Sequence, residues 1–289
     1  MIKVGGEKMA KNVLSVNKIV KRYPNFLLNQ ISLNLEEGTI TGFIGKNGAG
    51  KSTTLKAIMG LIKIESGTIK FDMHKVENTY PIGYLGMEKG IYPDESLENI
   101  ARFVAKAWGR SWNEKEYRYY AEKVFGLCTT QKMKELSTGM VIKFLLSLEL
   151  AKSPQLLLLD EPTSGLDPVV RDEILTILKK LVREKKMTIL FSSHITEDIV
   201  KIADRVVFID KGKIVLQGSK EFILKKYVKI KKEYVEKMPS SISSKIYTSG
   251  IFDRGFYIWD NEIQQISSDN IEKVDLDEIL LALGGKENA

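Results

Sequence analysis

Nine consecutive residues, Gly45 to Thr53 (GKNGAGKST), carry the plainest chemistry in the chain. They fit the spacing G-x-x-x-x-G-K-[ST] of a P-loop. Gly45, Gly48 and Gly50 lack Cβ atoms, so the backbone can curl with its N–H groups pointing inward at an anion. Asn47 and Ala49 complete the loop, and a helix starting near Lys51 adds the positive end of its dipole. In such a loop Lys51 reaches the β- and γ-phosphates and the Ser52 hydroxyl binds Mg²⁺, with Thr53 closing the motif. A second group follows the apolar run Gln155–Leu159 (QLLLL), which ends in Asp160-Glu161-Pro162-Thr163. Such a run reads as a parallel strand buried on both faces, and its carboxyl end is where these sheets bind ligands. Asp160 is expected to hold Mg²⁺ opposite Ser52, directly or through water. Glu161 is placed to polarise a water for attack on the γ-phosphate.

These groups need elements to position them. Thr39–Ile44 reads as a strand entering the loop and Thr54–Leu61 as the amphipathic helix leaving it. Val13–Val16 and Ile31–Leu35 read as strands around a turn at Pro24-Asn25, with Gly67–Phe71 and Ile82–Leu85 as further strands. Ser96–Phe125 has helical spacing, and helix resumes over Ser137–Lys152 until Pro154. Helix Val169–Glu184, strand Thr188–Ser192, helix Ile195–Ala203 and strand Val206–Asp210 follow. This alternation predicts an α/β fold with a mostly parallel sheet, into which the strandless block Leu97–Lys152 is inserted. Past about Gly218 the pattern changes. Glu221–Tyr234 reads as a basic helix, Ser240–Ser244 as a linker, Ile246–Trp259 as short strands and Leu276–Leu283 as an amphipathic helix. Trp259, Ile263 and that last helix are expected to form a small core.

The chain has 289 residues, 43% of them hydrophobic and 28% charged, which is ordinary for a globular protein and excludes long disorder. Its net charge is +7. The lysines are spread along the chain apart from a modest cluster at Lys225–Lys232, so a solvated surface is expected and no nucleic-acid partner. The single cysteine, Cys128, excludes an internal disulfide and reads as a small core residue beside Leu127. No run of about 18 apolar residues exists, so a role at a membrane requires a partner. Met1–Lys8 are expected to be a leader foreign to the fold, with Met9 as the start.

Four further segments fall in a telling order. Leu136–Met140 reads LSTGM, Ser164–Asp167 reads SGLD, His194 follows the strand Thr188–Ser192, and Tyr23 precedes the loop in KRYPN. With GKNGAGKST and LLLLDEP, they resemble the ATP-binding subunit of a bacterial ABC transporter, over about Val13–Gly218. The resemblance implies a P-loop NTPase core, residues 9–220, carrying an inserted helical subdomain at about 88–152. A small α+β C-terminal extension, residues 221–289, would serve dimerisation or be a satellite domain packed on its own core. It further implies a head-to-tail dimer with two ATP molecules at the interface, each touching the P-loop of one subunit and the LSTGM segment of the other. Ser137 and Gly139 would then act in the partner's site, where the amides of the helix they begin suit a γ-phosphate. Asp167 would support that same opposite site. Tyr23 would stack on adenine, and His194 would contact the γ-phosphate and the attacking water. Glu161, His194 and Lys51 would carry catalysis, with ATP and Mg²⁺ as cofactors, and His74 would be a turn residue without a role.

Two departures from the family pattern matter. Thr138 and Met140 replace residues of the usual LSGGQ, giving a form similar to that of drug- and peptide-exporter ATPases. That implies export of a drug, antimicrobial peptide or lipid-like substrate through a separate integral membrane subunit, at the cytoplasmic face of the membrane. The second ATPase subunit would be an identical chain or a paralogue. The usual glutamine after Ile82–Leu85 is replaced by Met87, a poor ligand for a hard cation, or its role passes to Glu88. An alternative function is a soluble ABC-type ATPase acting on ribosomes or DNA. A single ATPase cassette, one cysteine and a short helical insert argue against it.

Overall fold

The computed structural model describes residues 11–73, 82–86, 92–235, 237, 246–248, 257–260 and 270–285. Met1–Lys8 and Met9, His74, Met87, Glu88, Ser240–Ser244 and Ile263 lie outside the described residues, as does the side chain of Trp259.

β1 (Asn12–Tyr23) and β2 (Phe26–Glu36) form a hairpin in which Tyr23 pairs with Phe26, leaving Pro24-Asn25 as the turn. Both strands outrun the apolar alternation seen in the sequence, because cross-strand pairing continues into polar residues such as Lys21 and Arg22. β3 (Ile40–Ile44) enters the P-loop and α1 (Lys51–Ile58) leaves it. β4 (Ser66–Phe71) pairs with β1, completing a three-stranded antiparallel sheet. β5 (Ile82–Leu85) precedes the inserted helices.

The expected helical stretch Ser96–Phe125 is broken in two. α2 (Leu97–Trp108) is capped by Ser96, whose Oγ accepts from Asn99 N at 3.2 Å, and it ends at Gly109. α3 (Glu114–Arg118) starts afresh on the Asn113 side chain, which accepts from Lys115 N and Glu116 N, and runs into a π-helical turn over Tyr119–Val124. Local capping chemistry outweighs the continuous apolar spacing here. α4 (Thr138–Leu150) follows. Cys128 is exposed, contrary to expectation. It lies in the loop after the π turn, where Leu127 takes the inward position and the Cys128 Sγ turns to Thr130 Oγ1 at 3.2 Å.

The chain then alternates through β6 (Leu156–Asp160), α5 (Pro168–Lys185), β7 (Thr188–Ser193), α6 (Thr196–Ile202), β8 (Arg205–Asp210) and β9 (Lys213–Ser219). The central sheet has the order β5-β6-β7-β3-β8-β9, parallel except for the β8–β9 edge. β6 explains its own sequence. Leu156 and Leu158 pack with the β1–β2 hairpin and α1, whereas Leu157 and Leu159 pack with α4 and α5 on the opposite face. Each such leucine stabilises the fold by about 1.5–3 kcal/mol, so period-two alternation has no role in a strand covered on both sides.

The C-terminal part begins with α7 (Lys220–Lys226) and β10 (Tyr227–Ile230), followed by the short α8 (Lys232–Val235). The single helix expected over Glu221–Tyr234 is thus interrupted by a strand. Tyr227, Val228 and Ile230 favour extended backbone, and β10 pairs on both sides, with β12 (Tyr257–Asp260) and β13 (Ile271–Glu272). β11 (Tyr247–Thr248) flanks β12, and α9 (Leu276–Gly285) covers this small sheet. Ile223, Tyr227, Ile258, Leu276 and Ile279 belong to the same apolar core as the helical face of the central sheet. Among the described residues, no helix is long and apolar enough to cross a membrane.

Candidate active site

β3 delivers the chain into the P-loop at the carboxyl end of the sheet, and Gly50 is the N-cap of α1 with φ 113°. That angle is strained for any residue bearing a Cβ, so the sharp entry into α1 depends on glycine. Lys51, Ser52 and Thr53, the first residues of α1, line the cleft above the loop, at the positive end of the helix.

Lys51 Nζ donates to the carbonyls of Gly45 at 2.6 Å and Lys46 at 3.2 Å. It also lies 3.0 Å from Glu161 Oε1. The separation is that of an ion pair, but the direction is not that of a hydrogen bond, and Glu161 Oε1 remains a buried carboxylate oxygen that accepts none. Burial makes such an atom costly unless a donor reaches it during the working cycle.

The geometry of Glu161 is set from β7. The parallel register of β6 and β7 puts Asp160 opposite Ser192. The Ser192 hydroxyl donates to Asp160 Oδ1 at 2.9 Å and accepts from Glu161 N at 3.1 Å. One buried serine therefore orients both carboxylate residues. Glu161 itself sits at φ 53°, an unusual conformation for a non-glycine residue that aims its side chain across the cleft. Glu161 Oε2 lies 2.7 Å from His194 Nδ1 and also accepts from His194 N at 3.3 Å. An ionised carboxylate there fixes the proton on Nδ1 and leaves Nε2 as the second ring nitrogen available for chemistry.

Tyr23, Asn47, Gly48, Gly50, Lys51, Ser52, Thr53, Glu161 and His194 share the lining of one cleft of about 660 Å³. This volume is in the range of small-molecule sites. Asn25, Phe26 and Ser164 line it too. Gly45 and the buried Ala49 lie within the loop beneath it, and Asp160 stands behind Glu161. Ser137, Gly139 and Asp167 are not among the lining residues. Ser137 Oγ caps α4 by accepting from Met140 N at 3.3 Å, and Asp167 Oδ1 caps α5 by accepting from Val169 N and Val170 N. Sequence reasoning missed Ser192. Its signal was a polar pair, Ser192-Ser193, following the apolar run Ile189–Phe191 of a buried strand immediately before His194.

These residues fit a magnesium nucleotide. Among the described residues no cluster of three or more His, Cys, Asp or Glu side chains gathers in metal-binding range. Ser52 lines the cleft and Asp160 stands behind Glu161, and their oxygens are the hard donors that Mg²⁺ takes beside phosphates. Glu161 Oε1, in ion-pair range of Lys51 but accepting no hydrogen bond, keeps acceptor capacity for a water brought in with the nucleotide.

Comparison with known proteins agrees with this geometry. The chain matches the family described as ABC transporter over residues 28–164. It is 36% identical over 213 residues to an uncharacterized ABC transporter ATP-binding protein of Methanocaldococcus jannaschii, covering 73% of this chain and 78% of that protein. It is 34% identical over 209 residues to the lantibiotic transport ATP-binding protein SrtF of Streptococcus pyogenes, covering 71% of this chain and 90% of SrtF. A solved ATP-binding subunit of an ABC transporter superposes with a TM-score of 0.64 at 27% identity, covering 74% of this chain and 92% of that one. The cleft, its phosphate-binding loop and these relatives together establish that the chain belongs to the ABC transporter ATP-binding protein family.

Proposed function

We propose that this chain hydrolyses ATP at a site completed by a second ATPase subunit and uses the resulting cycle to drive export through a separate integral membrane subunit. Members of this family bind and hydrolyse ATP with Mg²⁺ and serve membrane transport subunits. The observation that carries the assignment of roles is Glu161, held between Lys51 Nζ and His194 Nδ1 with one carboxylate oxygen unsatisfied.

In this reading Lys51 exchanges its loop carbonyls for the β- and γ-phosphates and balances their charge. Ser52 and Asp160 hold Mg²⁺, which when bound supplies positive charge at the transferring phosphoryl group. Glu161 Oε1 accepts a hydrogen bond from the water and aligns it for in-line attack. His194, fixed through Nδ1, presents Nε2 to the γ-phosphate. Tyr23, 40% exposed at the end of β1, offers its ring to adenine. Ser137, Gly139 and Asp167 do not line the cleft of their own chain, and the family resemblance gives them to the partner's site.

Export, and the cytoplasmic face of the membrane as its location, rest on the LSTGM form of the signature and on the likeness to SrtF, a lantibiotic transport protein. The cargo class that follows is a membrane-active peptide, a drug or a lipid-like molecule. Residues 9–220 act as the ATPase unit with its insertion at about 88–152. Residues 221–289 pack on their own subunit, with α9 against α6 and the small sheet and Glu278 paired to Lys229 at 2.7 Å; the family resemblance gives this extension a part in holding two subunits together. A pull-down of the tagged full-length chain from detergent-solubilised native membranes tests this reading. Recovery of a polytopic membrane protein is expected. Recovery of ribosomes or DNA in its place would contradict it.

A further inference from the structure

Asp198 is a buried carboxylate, 1% exposed, that none of the chemistry above uses. It lies on α6, four residues after His194. Its Oδ2 accepts from the Thr163 hydroxyl at 2.6 Å, and its Oδ1 pairs with Arg171 Nε. Thr163 is also buried, two residues after Glu161. Arg171 is on the first turn of α5, where its N–H bonds to Asp167 O at 3.0 Å, and its other guanidinium nitrogen reaches Glu197 at 3.2 Å. Asp198, on the helix that follows His194, thus gathers both ends of the β6–α5 connection: Thr163 next to Glu161, and Arg171 just after Asp167.

The contact extends one step further. A Cβ on Gly139 would meet Val170 Cγ1 at 2.7 Å, so the signature turn of α4 rests directly on the first turn of α5. Val170 is β-branched and adjusts poorly, so Gly139 and Val170 hold a fixed spacing. A path therefore runs from Glu161 along two residues of backbone to Thr163, through Asp198 and Arg171 to Asp167, and through Val170, next to Arg171, to Gly139. The chain from Asp198 leads back four residues to His194. Burying an ion pair of this kind brings little net stability compared with apolar packing. Its yield is a defined geometry, because a buried carboxylate must keep every partner in place.

We infer that Asp198, with Arg171 and Thr163, positions the hydrolytic residues of a subunit in register with the segments that the same subunit presents to its partner's site. These three are positioning residues, since none lines the cleft. The inference rests on the roles proposed above for Glu161, His194, Asp167 and Gly139. It adds that each subunit links the two sites through one buried carboxylate.

The test measures kcat and KM for MgATP, and the nucleotide-induced rise in melting temperature, on full-length protein. The variants are Asp198→Asn, Thr163→Val and Thr163→Ser, with His194→Ala as the control. Asp198→Asn and Thr163→Val should lower kcat by at least about tenfold, the scale of a small misplacement of catalytic groups. KM should stay within about twofold and the nucleotide-induced stabilisation should persist, because neither variant touches the phosphate grip. Thr163→Ser restores the hydroxyl and should restore kcat. If Asp198→Asn does not fold, the Thr163 pair decides alone. A kcat within about twofold of the parent in Thr163→Val overturns the inference, as does a loss of nucleotide-induced stabilisation matching the loss of kcat. If His194→Ala loses turnover while Asp198→Asn and Thr163→Val keep it, only the inference falls. Full turnover in His194→Ala removes the reading of the site on which it stands.

Discussion

Glu161→Gln should reduce ATP turnover by about a hundredfold or more, the usual contribution of a positioned general base, while ATP binding persists. Glutamine matches glutamate in size, so the φ of 53° at this position and the hydrogen bonds to Ser192 are kept. What is lost is the negative charge that Oε1 offers to a water, and with it the ion pair to Lys51 at 3.0 Å. Losing that pair leaves Lys51 more available to phosphates, so affinity for ATP should hold or rise. Phosphate release under saturating MgATP, measured beside nucleotide-induced thermal stabilisation, checks both halves. Near-normal turnover would contradict the role of Glu161.

Lys51→Ala should act on the other quantity, affinity. A charge-assisted hydrogen bond contributes about 1.5–3 kcal/mol, which corresponds to roughly a tenfold to hundredfold weakening of ATP binding. The substitution also leaves Glu161, with only 5% of its side chain exposed, without its cation. Breaking a buried pair is unfavourable, so the melting temperature of Lys51→Ala without nucleotide should fall. Titration calorimetry with ATP decides the first point, and unchanged affinity would count against the assignment.

The contrast between these two variants shows which parts of the site a sequence can display. The P-loop is local: spacing, residue type and backbone conformation coincide within nine residues, and Gly50 adopts the left-handed φ that its place before the helix demands. Asp160 and Glu161 are almost as plain, because an apolar run ending in two carboxylates has few structural meanings. Ser192 and Asp198 are different. Their partners lie 27–35 residues away, and only the β6–β7 register and the packing of α5 on α6 bring them together. Neither register nor packing is written in local periodicity. Val228 and Ile230 illustrate the converse: alternating with lysine, they read as part of a basic helix until β12 and β13 claim them as a strand. Cys128 failed for a simpler reason. In a loop the inward position is decided residue by residue, and Leu127 holds it.

Ser137, Gly139 and Asp167 do not line the cleft of their own chain, and their assignment to the site of a second subunit makes hydrolysis a property of two subunits. Turnover per chain, measured on purified protein across a dilution series at saturating MgATP, addresses this directly. If the site is shared, specific activity should climb with protein concentration and level off once the dimer is fully formed. A full turnover rate that stays constant on dilution would mean that one chain suffices, and would contradict the account.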